Sequence, residues 1–287
     1  MVESFIKLSE HCYCYESKSA KRSLLGVVIG DDQVLFVNGG ISPMQMGQML
    51  DFFRGLDYHT DLPPLGVITD HGLKHVLGMQ ACGKMPFISH SITKQKLDEM
   101  KNWKFTDKFL EKKVNNQEIL ASDLKALKKE WPEERQVEIM IPCIIYRHKL
   151  ELDLGHISCK LEHIESDHAE DTTIVFIEED GVMFIGDILE PGYQGHSSYY
   201  TKKLMSVMDI LMSYKAKYYV TSKGSKIYNQ NDFFEYCEYL RIVGATVAEH
   251  YENFQAIEEA LGGDLDKDDH TLIGAFINGI AVEKNKE

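Results

Sequence analysis

Positive charge, proline and tryptophan are all scarce in this sequence, and no apolar run is long. Of 287 residues, 31 are Lys or Arg against 45 Asp or Glu, for a formal net charge of −14. Such a chain repels phosphate backbones, so no nucleic-acid partner is expected. The longest apolar stretches, such as Gly181 to Leu189, have the length of strands. A bilayer-spanning helix needs roughly 20 apolar residues, so no membrane partner is expected either. The opening residues, Met-Val-Glu-Ser-Phe-Ile-Lys, carry no charged-then-apolar run before a small-residue cleavage site. A cytoplasmic location is therefore the default expectation. Cysteine is limited to Cys12, Cys14, Cys82, Cys143, Cys159 and Cys237. Cys12 and Cys14 stand too close for a zinc knuckle, and on a strand they share one face. Reduced, structural thiols are expected.

What is present is a globular composition, 44% hydrophobic and 26% charged, in a chain long enough for one layered domain. The first forty residues alternate as strands do. Leu24 to Val28 and Val34 to Val37 flank the turn Gly30-Asp31-Asp32, and Gly39-Gly40 ends the second run. Met46, Met49, Leu50 and Phe53 carry a helical spacing. Further strands are expected at Leu65 to Thr69, Phe87 to Ser89, Val137 to Tyr146, Lys149 to Leu154, Ser158 to Ile164, Thr172 to Ile177, Val182 to Ile185 and Tyr218 to Thr221. Helices are expected at Ile92 to Met100, 203–214 and 231–242. Residues 1–287 are taken as a single domain, with a charged helical insertion near 101–132 and a helical C-terminal extension near 245–287. Two groups of strands, each followed by helices, suit two stacked sheets between helical layers. The segment Gly263 to Asp268 resembles the start of a calcium loop. Asp269 occupies the position that needs Gly, and Ala275 the position that needs Glu, so a solvated turn is expected.

Polar loops follow the short apolar strands. The first runs Thr69-Asp70-His71-Gly72-Leu73-Lys74-His75 and closes on Gly78. The second is Asp167-His168-Ala169-Glu170-Asp171, the third Gly186-Asp187, and the fourth Thr221-Ser222-Lys223-Gly224. Over roughly Leu24 to Leu240 this arrangement resembles the metallo-β-lactamase superfamily. The resemblance implies an α/β fold, a four-layer αββα sandwich of two mixed β-sheets flanked by helices. In that family the first loop reads Thr-His-x-His-x-Asp-His, and later loops add a histidine, a bridging aspartate and a last histidine. Together these bind two metal ions, which generate a hydroxide nucleophile.

Carried over position by position, the first histidine falls on Asp70, the second on Gly72 and the motif aspartate on Lys74. His75, His168 and Asp187 are kept. The final histidine falls on Lys223, and the family's Asp-x-Gly upstream is Asn38-Gly39-Gly40 here. Asp171 fits a hydrolase-like branch in which Asp-His-x-x-Asp-Thr loops precede the Gly-Asp strand. Three of the seven ligand positions are thus retained, and Asp70 is a replacement that could still ligate. An ammonium has no lone pair to donate. At about 4 Å and an effective dielectric of about 20 it repels a dication by about 8 kcal/mol. Lys74 and Lys223 are therefore expected to stand in for the charge of the second metal and to pair with Asp187.

The expected function is that of a non-classical or inactive hydrolase homologue with an eroded metal centre, whose cleft binds a small ligand or a partner. Metal-free is the favoured state. The alternative is a mononuclear metal-dependent hydrolase of an ester, thioester, lactone or phosphodiester. It would use Asp70, His168 and Asp187, with His75 as a further candidate ligand, around one Zn, Fe or Mn ion. A third option is metal-free acid–base chemistry by Lys74, Lys223 and His75. His196 and the tyrosines Tyr193, Tyr199 and Tyr200 follow the Gly-Asp loop; they are expected to line the cleft or to pack in the core. His11, His59 and His90 are read as structural or surface residues.

Overall fold

The computed structural model describes residues 4–16, 22–56, 58, 62–131, 135–192, 197–222 and 226–284. Strands β1 (Ser4–Lys7), β2 (Cys12–Glu16), β3 (Leu25–Ile29) and β4 (Val34–Val37) form an antiparallel meander. Helix α1 (Pro43–Gly55) follows. The Ser42 side chain caps it by accepting the Gln45 N–H, and proline opens its first turn, where its missing N–H costs nothing. The chain then continues in parallel: β5 (Leu65–Ile68), α2 (Leu73–Val76), β6 (Phe87–His90), α3 (Ser91–Met100), α4 (Asp107–Asn115), α5 (Ala121–Glu130) and β7 (Ile144–Tyr146). These strands make one mixed sheet in the order β1-β2-β3-β4-β5-β6-β7.

The second sheet is built from β8 (Lys149–Asp153), β9 (Ser158–His163), β10 (Thr173–Ile177), β11 (Val182–Gly186), β12 (Tyr218–Thr221) and β13 (Ile227–Asn229). Its order is β13-β12-β11-β10-β9-β8. Helix α6 (Thr201–Ser213) makes the crossover that the parallel β11–β12 pair requires. Helices α7 (Gln230–His250), α8 (Phe254–Ala260) and α9 (Lys267–Lys284) close the chain.

Strand alternation assigns the layers. Leu35 and Val37 of β4 face inward, as do Val182 and Phe184 of β11, and together they fill the space between the sheets. Their neighbours Val34 and Phe36 pack outward on Met46 and Met49 of α1. Met183 and Ile185 pack outward on α6 and α7. Both faces of each sheet are thus covered, which is why these strands read as continuous apolar runs. Cys12 and Cys14 both point into the inter-sheet core, and all six thiols are free.

Three expectations need adjustment. Of the run Val137 to Tyr146, Ile144–Tyr146 is strand and residues 135–143 are not; Pro142 has no N–H for a ladder. β13 was not anticipated; it is three residues long. The boundary near 245 falls inside α7, which continues to His250 because Val243 and Val247 extend its buried face. Gly244 lies within that helix, where a Cβ would stand 2.9 Å from the Phe276 ring of α9. The missing side chain lets the two helices meet.

The segment near 101–132 is helical and charged outside, where Lys128 pairs with Asp107 and Glu111. Its inner face is part of the core: Leu110, Leu124, Leu127 and Trp131 pack on Ile41, Ile68 and Leu77. Trp131 Nε1 donates to the Ile41 carbonyl at 2.8 Å. Arg22 grips Glu130 at the end of α5 with two contacts, Nε to Oε1 at 2.9 Å and Nη2 to Oε2 at 2.7 Å. In the segment Gly263 to Asp268, Asp266 Oδ1 accepts the N–H groups of Asp268 and Asp269. It acts there as the cap of α9.

Candidate functional site

The polar loops meet at the ends of β5, β10 and β11. They line a cleft of about 330 Å³ whose wall includes Asp70, Lys74, His75, His168 and Asp187. Two local devices aim these side chains. Asn38 sits at φ +66, and its Oδ1 accepts both the N–H and the hydroxyl of Thr69 at 3.0 Å, fixing the start of the first loop. Gly186 sits at φ +58, a conformation L side chains resist, where the β11–β12 register slips. That turn delivers Asp187 to the cleft.

Asp70 is buried, and its Oδ1 takes two donors at 2.7 Å, the Gly72 N–H and His75 Nδ1. A Cβ at position 72 would stand 2.8 Å from that same oxygen, so glycine permits the arrangement. The far nitrogen of His75 lies 3.7 Å from Asp187 Oδ2, and His168 Nε2 lies 3.9 Å from the same atom. Burial opposes charge on both Asp70 and His75, but their mutual attraction and hydrogen bond outweigh it. The Asp70 carboxyl is held well below the usual carboxylate range. His75 is pushed up to about 9, with Asp187 contributing. His71 is tied to the second sheet: its N–H and ring Nδ1 meet the two oxygens of fully buried Asp171 at 3.0 and 2.9 Å.

Lys74 does not pair with Asp187 as expected. Its Nζ lies 2.7 Å from Asp123 Oδ1 on α5, with the two side chains 16% and 12% exposed. Burial works against the ammonium, but Asp123 first, then Asp187 and Glu190, raise its pKa. Lys74 is therefore charged, and Asp187 acts on it at longer range. Sequence reasoning missed Asp123, which comes from the helical segment near 101–132. A signal existed: Leu120, Asp123, Leu124 and Leu127 form one helical stripe, and an acid on a buried stripe needs a partner. The same segment supplies the apolar wall, with Trp103, Ile119 and Leu120. Lys223, His59, His196 and Tyr193 lie outside the described residues. Tyr199 is a core residue, its ring tilted against Phe276 with centroids 5.0 Å apart and its hydroxyl donating to the Leu189 carbonyl. Tyr200 donates its N–H to Asp167 Oδ2 at 3.0 Å. His11 and His90 are structural. His11 ties to Asp180 at the β10–β11 turn, and His90 caps α3.

At two first-loop positions where the resemblance implies a histidine and an aspartate, the described residues are Gly72, which offers no side chain, and Lys74, whose ammonium has no lone pair for a second ion. For one ion the donor types are suitable, and Asp70 Oδ2, His75 Nε2 and Asp187 Oδ1 are buried without partners. As they stand, however, no three such side chains among the described residues are gathered around one point. Donors sharing a zinc ion at about 2.1 Å sit about 3.4 Å apart, closer than the 3.7 and 3.9 Å seen here.

Asp167, beside His168, has one buried oxygen without a partner. Burial pushes its carboxyl up from 3.8 to about 6. The folded state therefore holds this proton more tightly than the unfolded chain, and stability falls as pH rises from 3.8 to about 6. Asp167→Asn should remove that fall, melting above wild type at pH 7 and level with it near pH 4. A constant difference across this range would show that Asp167 does not titrate there.

Solved structures similar to this chain have the metallo-β-lactamase fold. A metallo-β-lactamase from Pontibacter korlensis aligns with 83% of this chain and 98% of its own, at 13% identity and a TM-score of 0.57. The DIM-1 metallo-β-lactamase aligns with 83% of this chain and 96% of its own, at 14% identity and a TM-score of 0.56. The inverting sec-alkylsulfatase Pisa1 from Pseudomonas sp. covers 96% of this chain at 10% identity and a TM-score of 0.66; the match spans 47% of that longer protein. No family profile and no curated protein matches the chain. With the two mixed sheets between helical layers, these likenesses define a metallo-β-lactamase-fold protein. At such identities the fold is what is shared. No helix among the described residues is long and apolar enough to cross a membrane.

Proposed function

We propose that this protein is a hydrolase homologue whose cleft binds a small molecule without a two-metal centre. The observation that carries this is the Lys74–Asp123 ion pair. It sets a charged ammonium, held by a helix outside the ligand loops, at the place of a metal-binding carboxylate. The ammonium balances Asp187 and Glu190 from a distance, as a cation would. The cleft combines that charge with the Asp70–His75 pair and an apolar wall at Trp103 and Ile119. Such a mixture of apolar lining and a few fixed polar groups suits a small ligand.

One observation favours a second reading, a single ion with hydrolysis of an ester, thioester, lactone or phosphodiester. Asp70 Oδ2, His75 Nε2 and Asp187 Oδ1 are buried without partners, and buried polar atoms seldom stay unsatisfied. Asp70, His168 and Asp187 would hold the ion after a small closure, with His75 as a further ligand. Asp70 would keep the His75 tautomer fixed through Nδ1. The ion would supply an activated water.

Thermal melting with and without EDTA separates the two. The metal-free cleft predicts the same midpoint in both buffers. A fall in midpoint with EDTA that is absent in His75→Ala would overturn it in favour of the single-ion reading.

A further inference from the structure

Each sheet ends in a strand on the same side of the sandwich, β7 for the first and β8 for the second, and only Arg147 and His148 separate the two. Ile144 and Ile145 of β7 are 37% and 39% exposed. The side chains of β8 alternate. Leu150 and Leu152 pack toward the space between the sheets, while Lys149, Glu151 and Asp153 are exposed. The cleft uses none of these residues.

The outer main chain of β8 is open as well. His163 N–H donates to His148 O and Leu154 N–H to Ile157 O, both at 2.9 Å. Along an antiparallel pair such bonded positions recur at every second residue. Leu150 and Leu152 therefore bond to β9, and Lys149, Glu151 and Asp153 turn their N–H and C=O groups outward. Among the described residues these outward groups have no hydrogen-bond partner. Charged side chains commonly blunt such an edge. Here the signs are ordered instead: Arg147 and Lys149 precede Leu150, and Glu151 and Asp153 follow it. Turned end over end about Leu150, the strand presents each charge to its opposite.

We propose that β8 pairs antiparallel with β8 of a second copy of this chain, about a two-fold axis at Leu150. Lys149 then faces the partner's Glu151, and Glu151 faces the partner's Lys149. Arg147 comes opposite the partner's Asp153, and Leu150 meets the partner's Leu150. The backbone fits the same register, because each residue with outward groups opposes another of its kind. Within one copy Lys149 Nζ lies 2.9 Å from Glu162 Oε2, and Glu151 lies across from Lys160. Over the joint the outer face thus runs Glu162, Lys149, the partner's Glu151, the partner's Lys160, with the sign changing at every step. Opposite charges on facing strands stabilise a sheet. An axis at Lys149 or at Glu151 would set like charges face to face. The contact is isologous and closes as a dimer, with Ile144 and Ile145 beside the joint. It is independent of what the cleft binds.

Sedimentation velocity of the full chain over a concentration series tests this pairing. A dimer that dissociates on dilution is expected. Lys149→Glu and Glu151→Lys each turn both facing pairs repulsive, and each should raise the dimer Kd about thirty-fold. Both positions are exposed, so the variants keep the fold, which circular dichroism checks. Mixed in equal amounts, the two variants should form a heterodimer about as tight as the wild-type dimer, since each supplies the charges the other lacks. A wild type that stays monomeric across the series would overturn the proposal. So would a dimer that neither reversal weakens, or reversed variants that fail to associate when mixed.

Discussion

Arg22→Met is expected to lower stability by about 3–5 kcal/mol, because it leaves the Glu130 carboxylate buried without its partner. The Arg22 and Glu130 side chains are 5% and 6% exposed. Arg22 also donates to Gln48 Oε1 at 3.0 Å and to the Tyr15 hydroxyl at 3.3 Å. Glu130 in turn accepts from the Ser42 hydroxyl that caps α1. One guanidinium thus ties β2, α1 and the end of α5 together. In a chain of this size the loss corresponds to a melting shift on the order of 10 °C. Arg22→Met/Glu130→Leu, which removes both charges, should recover much of it. If the double variant melts no higher than the single one, lost packing rather than a stranded charge explains the effect. The consequence reaches the cleft, since α5 carries Asp123. Loosening its far end should free Lys74 as well.

Gly78→Ala should cost about 3 kcal/mol, through a backbone clash that no rotamer relieves. A Cβ there would stand 2.0 Å from the Gly39 carbonyl oxygen and 2.6 Å from that of Ser42. The two loops are joined at this point by Gly78 N–H to Gly40 O at 2.9 Å and Gly39 N–H to His75 O at 2.6 Å. Forcing them apart moves α2, which holds Lys74 and His75. The variant should therefore melt lower and also shift the His75 ring resonances. A variant melting within about 1 °C of wild type, with His75 unshifted, would show that the contact is not needed to place the first loop.

The layers were legible in the sequence because each strand carries its own alternation. Val182 and Phe184 face one way and Met183 and Ile185 the other, a period that survives whatever packs outside. The loops were legible because polar residues follow those strands; His75 and His168 each come within 4 Å of Asp187. The partner of Lys74 was not. Position-by-position correspondence says what an ammonium replaces, but the carboxylate it finds depends on how α5 docks. That docking is set by Trp131, Glu130 and the Leu120–Leu127 stripe. The inner contacts of Asp70 were not legible for a similar reason. A carboxylate is shorter than an imidazole, and at that position it meets the Gly72 N–H and His75 before it reaches the centre of the cleft. β13 depends on the return of α7 and α9 over the second sheet, a long-range packing with no local signature.

Lys74, held by Asp123, is proposed to take the place of a second metal ion. The most direct test is the metal content of protein purified without a metal-affinity column, incubated with excess zinc and then freed of loosely bound ion. At most one equivalent is expected in the wild type, and a higher content in Lys74→Asp, which returns a carboxylate to the loop. Two tightly bound equivalents in the wild type would contradict it.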